Sequence, residues 1–489
     1  MNPRILVLLI AAAATAWSFR NWRRAVQYVM VLLILEGAIR KWIFPGAQDI
    51  VYFGKDLLLV GIYAGFLARD RPGLRPPQLQ LLFGLLGAGA MFGLLQVFNP
   101  HLPSLLVGVL GFKAYFFYVP LFWILPAAFS SDAELSRFLR RYGMIAIPVG
   151  LLAAAQFVSP SSSALNTYAR AATEATDITT FGTSARVRVT ATFAYITGFT
   201  SYLFANVALL LALLGAERWR MRRNLWLFAA LGLTMLGMMM SGSRGPIAVL
   251  ILLLPIYGWL AVARERGSGA TTGRLVIAVA FVGGLAAYFG TDAIAEWRGR
   301  ASGTTDVSER MLTPFVAPIY VLDRAGLLGY GIGATHQMAA AIIKGPHPFY
   351  WLDGPNIEIE SGRVMLELGP IGFLFVYLVR LIMVVYSLQQ VFRLRTLFHR
   401  SVAVGCLLFF IAQLAGSVIF EVTSGLFYWF FAGLIATVVA LDRQMLLAAR
   451  ASLPQPVTLA AATQAHALLP PAAHSARTAF SPATPPSRS

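Results

Sequence analysis

The sequence predicts an all-α polytopic membrane protein, and three observations carry that expectation. Hydrophobic residues make up 58% of the 489-residue chain and charged residues only 12%, at a mean hydropathy of +0.69. A soluble fold has no way to cover so much apolar surface. Apolar runs near the length that crosses a bilayer, about 17–25 residues, recur almost from end to end. Basic clusters fall in every second connection: Arg20, Arg23, Arg24; Arg69, Arg71, Arg75; Arg137, Arg140, Arg141; Arg218, Arg220, Arg222, Arg223; Arg264, Arg266, Arg274; and Arg393, Arg395, Arg400. Placing those loops in the cytoplasm gives one topology without conflict. The net charge of +18 then reflects orientation in the membrane, and no nucleic-acid partner is expected.

Taken in order, the runs predict 12–13 transmembrane helices, at 5–19, 25–42, 50–68, 78–98, 104–129, 142–158, 191–215, 224–240, 246–263, 274–290, 369–391, 401–420 and 423–441. The first imitates a secretory signal, with Arg4 ahead of it and the small-residue string Ala14-Thr15-Ala16 inside it. Arg20, Arg23 and Arg24 follow at once and oppose translocation, so an uncleaved helix with its N-terminus outside is expected. The second run closes on Glu36, Arg40, Lys41 and Trp42, with Glu36 and Arg40 spaced to pair on one helix face. Lys55 and Asp56, early in the third, are expected as a buried pair. Lys113 lies in the fifth with no adjacent acid, and an unpaired cation inside a membrane marks a functional site or a snorkelling side chain.

Between 142–158 and 191–215 runs a loop of about 159–190 that ends in Arg186-Val-Arg188. If extended, it points both guanidiniums the same way, and two such forks side by side suit a diphosphate. The stretch Met238–Pro246 joins two apolar runs and puts Arg244, flanked by Ser and Gly, at the mouth of a helical hairpin. With no acid beside it, Arg244 is either an interfacial anchor or a ligand for a distant anion. The one large extracytoplasmic loop, 291–368, carries nine acidic and six basic residues, a net −3 in a chain of +18. A helix from Glu360 would set Glu360, Arg363 and Glu367 along one face at the mouth of the bundle, where a carboxylate beside an arginine can act as a general base. The bundle covers 1–441, and the Ala-, Pro- and Ser-rich stretch 442–489 is expected as a disordered cytoplasmic tail.

Several chemistries find no support. No phosphate-binding glycine loop of the nucleotide-hydrolysing type is present. The single cysteine, Cys406, lies in an apolar run, and the six histidines are scattered. Neither a metal nor a cofactor is expected.

The order of parts resembles the O-antigen ligase and polymerase superfamily of bacterial envelopes. The resemblance rests on the Ser-Gly-Ser-Arg-Gly hairpin at 241–245, the large loop after it, and Glu-Leu-Gly-Pro-Ile-Gly at 367–372 entering the next helix. Within the loop, Arg310 followed by Leu-Leu-Gly-Tyr-Gly-Ile-Gly at 327–333 resembles a further segment of that family. It covers about 186–390.

The resemblance implies a glycosyltransferase of the bacterial inner membrane. Such an enzyme moves glycan from an undecaprenyl-diphosphate-linked oligosaccharide to a glycan or lipid acceptor at the periplasmic face, without a metal. Membrane lipids and other polysaccharide-assembly proteins would be its partners. Arg244, Arg310, Arg363, Arg186, Arg188 and Lys113 are then the candidates for holding the lipid diphosphate. The family's loop histidine, its usual base, has no counterpart ahead of the helix; that region reads Glu358-Ile-Glu360-Ser361. By this alignment Glu360, or else Glu358, takes the base role, with His336 as a stand-in. The rival readings are a transporter or flippase of an anionic glycolipid and an assembly subunit. The first explains Lys113 and Arg244 equally well, but not an acid-rich loop or the lack of repeated halves.

Overall fold

The computed structural model describes residues 3–69, 80–169, 178–181, 186–216, 221–264, 307–339, 342 and 359–451. The protein is an all-α polytopic membrane protein. Its elements in chain order are α1 (Pro3–Arg20), α2 (Trp22–Ala38), a π turn (Ile39–Ile43), a 3-10 turn (Pro45–Ala47), α3 (Gln48–Arg69), α4 (Gln80–Gln96), α5 (Leu105–Phe116), α6 (Leu121–Ala128) and α7 (Asp132–Met144). There follow α8 (Ala146–Val158), α9 (Ile196–Ala216), α10 (Met221–Met240), α11 (Arg244–Arg264), α12 (Val307–Ala325), α13 (Glu360–Arg393), α14 (Leu397–Ala412) and α15 (Val422–Ala451). Among the described residues the one β feature is an isolated antiparallel bridge between Thr180 and Val187.

Among the described residues five helical stretches are long and apolar enough to cross a bilayer: Pro45–Arg69, Asp132–Val158, Ile196–Ala216, Glu360–Arg393 and Val422–Ala451. The pair α5 and α6, bent by 42°, makes a sixth if it counts as one span. Four shorter apolar helices lie within 80–96, 224–240, 249–259 and 397–412, so the expected 12–13 includes pieces too short to qualify by length. The expected span at 274–290, most of the large loop, and the tail from 452 lie outside the described residues. The chain forms two units, 1–443 and 444–489. In the second, the described residues are the end of α15, which runs past the expected limit at 441 to Ala451.

Local chemistry explains the breaks. The run expected at 104–129 splits at Pro120, which has no N–H to continue the ladder. Ser104, Ser131 and Thr396 cap α5, α7 and α14 by accepting from the N–H groups of Leu106, Glu134 and His399. The centre of the bundle is aromatic: Phe199 and Tyr202 of α9 are fully buried, with Phe409 and Phe410 of α14 and Phe427, Phe430 and Phe431 of α15. Gly405 lets α14 approach α9 closely, since a Cβ there would lie 2.7 Å from the Ala208 carbonyl oxygen.

The longest helix is two limbs. Gly369 of α13 has φ +63° and Pro370 follows it. A straight helix would hold residues 360 and 380 about 30 Å apart, yet the carboxylate of Glu360 is ion-paired with Arg380. The limb 360–368 therefore folds back along the limb 370–393.

Candidate functional site

The fold-back is held open by a glycine loop. After α12 the chain turns through Gly326, Gly329, Gly331 and Gly333, all with φ between +62° and +101°. The N–H groups of Tyr330 and Gly331 donate to the carbonyls of Leu366 and Glu367 at 2.9 Å each. A Cβ on Gly329 would sit 2.5 Å from the Glu367 carbonyl, and one on Gly333 would sit 2.5 Å from the Val107 carbonyl oxygen. Only glycine fits these approaches at these dihedrals.

Glu367, fully buried, organises this loop. Its Oε1 accepts from the Thr335 N–H at 2.8 Å and the Thr335 hydroxyl at 2.7 Å. Its Oε2 accepts from the Gly333 N–H at 3.1 Å and the Tyr115 hydroxyl at 3.0 Å. Arg363 reaches the same threonine: Nε donates to Thr335 Oγ1 at 3.0 Å, and Nη2 donates to the Thr335 carbonyl. Its guanidinium stacks 3.7 Å above the Phe420 ring. Arg363 and Glu367, expected to share a face, thus meet through Thr335.

Glu360 is buried beneath them. Besides Arg380 it holds the turn before α15, accepting from the N–H groups of Ile419 (2.6 Å) and Phe420 (3.1 Å) and the Ser417 hydroxyl (3.2 Å). The other nitrogens of Arg380 are also occupied in part, Nη1 donating to the carbonyls of Gln413 (3.1 Å) and Gly416 (3.0 Å). Both oxygens of Glu360 are engaged, Oε1 by Arg380 and Oε2 by the three donors of the turn.

A second cluster lies between α2, α3 and α5. The expected Lys55–Asp56 pair is not formed. Lys55 Nζ stands 2.7 Å from Glu36 of α2, and Asp56 Oδ2 stands 2.5 Å from Lys113 of α5. Neighbouring residues on a helix point in different directions, so each seeks a partner across an interface. Lys113, expected to lack an acid, thus has one from another helix. Asp56 also accepts from the Tyr118 hydroxyl at 3.0 Å. The expected Glu36–Arg40 pair is present at 3.5 Å. Lys41 turns away and donates to the Ala191 carbonyl at 2.6 Å and to Thr190 Oγ1 at 3.1 Å.

Lys113 opens onto a cleft of about 380 Å³ lined also by Tyr52, Phe53, Tyr118, His336 and Met338. The pKa of His336 is pushed down to about 4, by burial first and then by the cations Arg363 and Lys113. The Met338 N–H donates to His336 Nδ1 at 3.2 Å. The neutral ring therefore carries its proton on Nε2.

The arginines of the shorter loop meet the helical hairpin. Arg188 Nε donates to the Ser241 carbonyl at 3.0 Å, and Nη2 donates to Ser243 Oγ at 3.1 Å. Gly242, with φ +65°, leaves room for it: a Cβ there would lie 2.9 Å from Arg188 Nε. Arg188 thus braces the turn that starts α11 at Arg244. Arg186 lies over the Phe157 ring at 5.4 Å. Arg244 begins α11 and Arg310 lies in α12, but their side chains lie outside the described residues, as does Glu358 entirely.

Sequence reasoning missed Arg380, Asp56 as the partner of Lys113, and Thr335. Arg380 was visible as an arginine inside the apolar run 369–391, a residue that belongs among functional candidates by default. Among the described residues no group of three His, Cys, Asp or Glu side chains is placed to hold a metal ion. No known protein family matches the chain, and no curated protein matches it either.

Proposed function

We propose that the protein is a glycosyltransferase of the bacterial inner membrane that transfers or polymerises glycan carried on undecaprenyl diphosphate, at the extracytoplasmic face. The observation that carries this reading is a cleft lined by Lys113 and a neutral His336, with the Arg363 guanidinium near enough to help hold down the His336 pKa. Two cations there suit a leaving diphosphate, because donors fixed before the reaction stabilise charge as it develops. Arg244, at the turn braced by Arg188, is the further phosphate ligand that the sequence resemblance suggests.

In this reading the sugar C1–O(phosphate) bond breaks and its electron pair leaves with the diphosphate. The acceptor oxygen bonds to C1, and its proton passes to a base. Glu360, already holding Arg380 and the 417–420 turn, acts as a positioning residue. His336 lines the cleft and is the alternative base, taking the proton on Nδ1 once that nitrogen is released by the Met338 N–H. A diphosphate ester carries its own driving force, so no nucleotide is required.

The test uses purified protein in nanodiscs with an undecaprenyl-diphosphate-linked oligosaccharide and an acceptor glycan. Wild type should form a covalent product. Lys113→Met should lower the rate by about 10²–10³-fold, the usual effect of removing one charge-stabilising donor, while Lys113→Arg keeps part of it. Donor binding with no bond formation would overturn the reading in favour of transport of an anionic glycolipid.

A further inference from the structure

Among the described residues of the large loop, α12 is the one long helix, and it is apolar on two faces. On the first, Ala317, Val321 and Ala325 are buried, and the latter two pack with Met365 and Leu366 of the first limb of α13 and with Phe373 of the second. The second face is open. Leu312, Phe315, Ile319 and Tyr320 recur on it at helical spacing, and the chain runs on into Leu327 and Leu328; all six are from 51% to 68% exposed. Single exposed leucines are ordinary, but six bulky apolar groups within 312–328 ask for a cover. Crossing the membrane does not supply it. The stretch without charge between Arg310 and Asp323 is twelve residues, or about 18 Å, against a hydrocarbon layer of about 30 Å. Accordingly α12 is not one of the helices able to span.

Depth says what covers this face. The second limb of α13 belongs to a stretch long and apolar enough to cross the bilayer, and it turns an exposed stripe outward through Leu374, Leu381, Val385, Leu388 and Phe392. Phe373 stands 20 residues from Arg393 at the arginine-rich end, about 30 Å along the helix, which is the thickness of the hydrocarbon layer. Because α12 packs at Phe373, it lies where hydrocarbon gives way to headgroups. Leu327 sits within about a turn of that level, since a Cβ on Gly369 would lie 2.3 Å from its carbonyl oxygen. The open face therefore continues the lipid-facing stripe beyond Leu374. We propose that α12 is an interfacial helix, its open face seated in the phospholipid leaflet opposite the arginine-rich loops. Acyl chains cover Leu312, Phe315 and Ile319, and Tyr320 stands at headgroup level, where its ring and hydroxyl are both satisfied. Asp323 and Arg324, both exposed, close the apolar stretch on the water side. The inference goes beyond the transferase reading and holds without it.

The experiment uses the full chain in nanodiscs of phosphatidylethanolamine and phosphatidylglycerol, one chain to a disc. Nitroxide labels are placed singly by Phe315→Cys, Ile319→Cys and Asp323→Cys. All three side chains are exposed, so the changes disturb no packing, and the native Cys406 is buried and gives the unlabelled background. Power-saturation electron paramagnetic resonance then compares collisions with oxygen, which concentrates among acyl chains, and with a nickel chelate, which stays in water. Oxygen collisions should exceed nickel collisions at 315 and 319, and the ratio should invert at 323. A common ratio at 319 and 323 overturns the proposal whichever way it falls, because the helix is then wholly in water or wholly in hydrocarbon. Labels at 315 and 319 shielded from both reagents overturn it as well, in favour of a protein surface over this face. Dipolar broadening that appears only with two chains in a disc would assign the face to a second copy.

Discussion

Replacing Glu360 with glutamine separates the two roles this residue can have. As a free general base, Glu360→Gln keeps size and shape and removes only the proton acceptor, so stability should not change. The contacts argue otherwise. Glutamine removes the charge that meets Arg380, which is 2% exposed and ion-paired to Glu360 alone among the described carboxylates. It also offers one acceptor oxygen where two now serve Arg380, Ser417, Ile419 and Phe420. Removing one member of a buried pair costs about 3–5 kcal/mol, because the other charge stays behind. With about 2.1 cal/mol/K of unfolding entropy per residue, a chain of this length turns that loss into a fall of about 3–5 °C in the melting temperature. The measurement is thermal unfolding in detergent, followed by intrinsic fluorescence. The double variant Glu360→Gln with Arg380→Met removes the stranded cation and should recover most of the loss. A single variant that melts with wild type while losing all transfer would refute the positioning role and restore Glu360 as the base.

Two further outcomes follow from the glycine loop and the histidine. Gly333→Ala, at φ +85° with a Cβ 2.5 Å from the Val107 carbonyl oxygen, should cost at least the strain of an unfavourable backbone region, about 1–3 kcal/mol. Gly84→Ala, with open space around its Cβ, should leave the melting temperature unchanged. For His336, the folded pKa of about 4 lies below the ordinary 6.5, so protonation favours the unfolded chain. Its contribution is intact above pH 6.5 and is lost as pH falls toward 4, to a limit of about 3 kcal/mol at 1.36 kcal/mol per unit. Melting curves of His336→Gln should be flatter than wild type across that window, and equal slopes would contradict the assignment.

The fold class was legible because it depends on quantities that sequence carries directly: apolar run length and the alternation of arginine between runs. The site was legible in its parts list and not in its wiring. Lys55 and Asp56 are adjacent in the chain, and adjacency suggested a pair. On a helix, consecutive side chains diverge by about 100°, so each residue meets a different neighbour, Glu36 on α2 and Lys113 on α5. Lys113 looked unpaired for the same reason in reverse, since its acid lies far back in the chain. The spacing of Glu360, Arg363 and Glu367 was read correctly as one helical face, but not what that face would meet.

What that face meets is decided at Gly369. With Gly369 at φ +63° and Pro370 after it, the helix that enters the membrane cannot continue straight from the limb before it. The fold-back brings Glu360 to Arg380, and this explains why an arginine is tolerated so deep in an apolar run: its charge is neutralised by a residue twenty positions earlier. The same bend points Glu367 at the glycine loop and leaves Arg363 between Thr335 and Phe420. A motif of the form Glu-Leu-Gly-Pro-Ile-Gly therefore has a structural meaning before any catalytic one. Its glutamate fixes the loop that carries His336, and its glycine and proline turn the limb back to neutralise Arg380. Lys113, which lines the cleft, and Arg363, near His336, are each already held in place by a neighbour, by Asp56 and Thr335 respectively. Side chains fixed in this way lose little further freedom when an anion arrives, and that is the condition under which charge stabilisation is most effective.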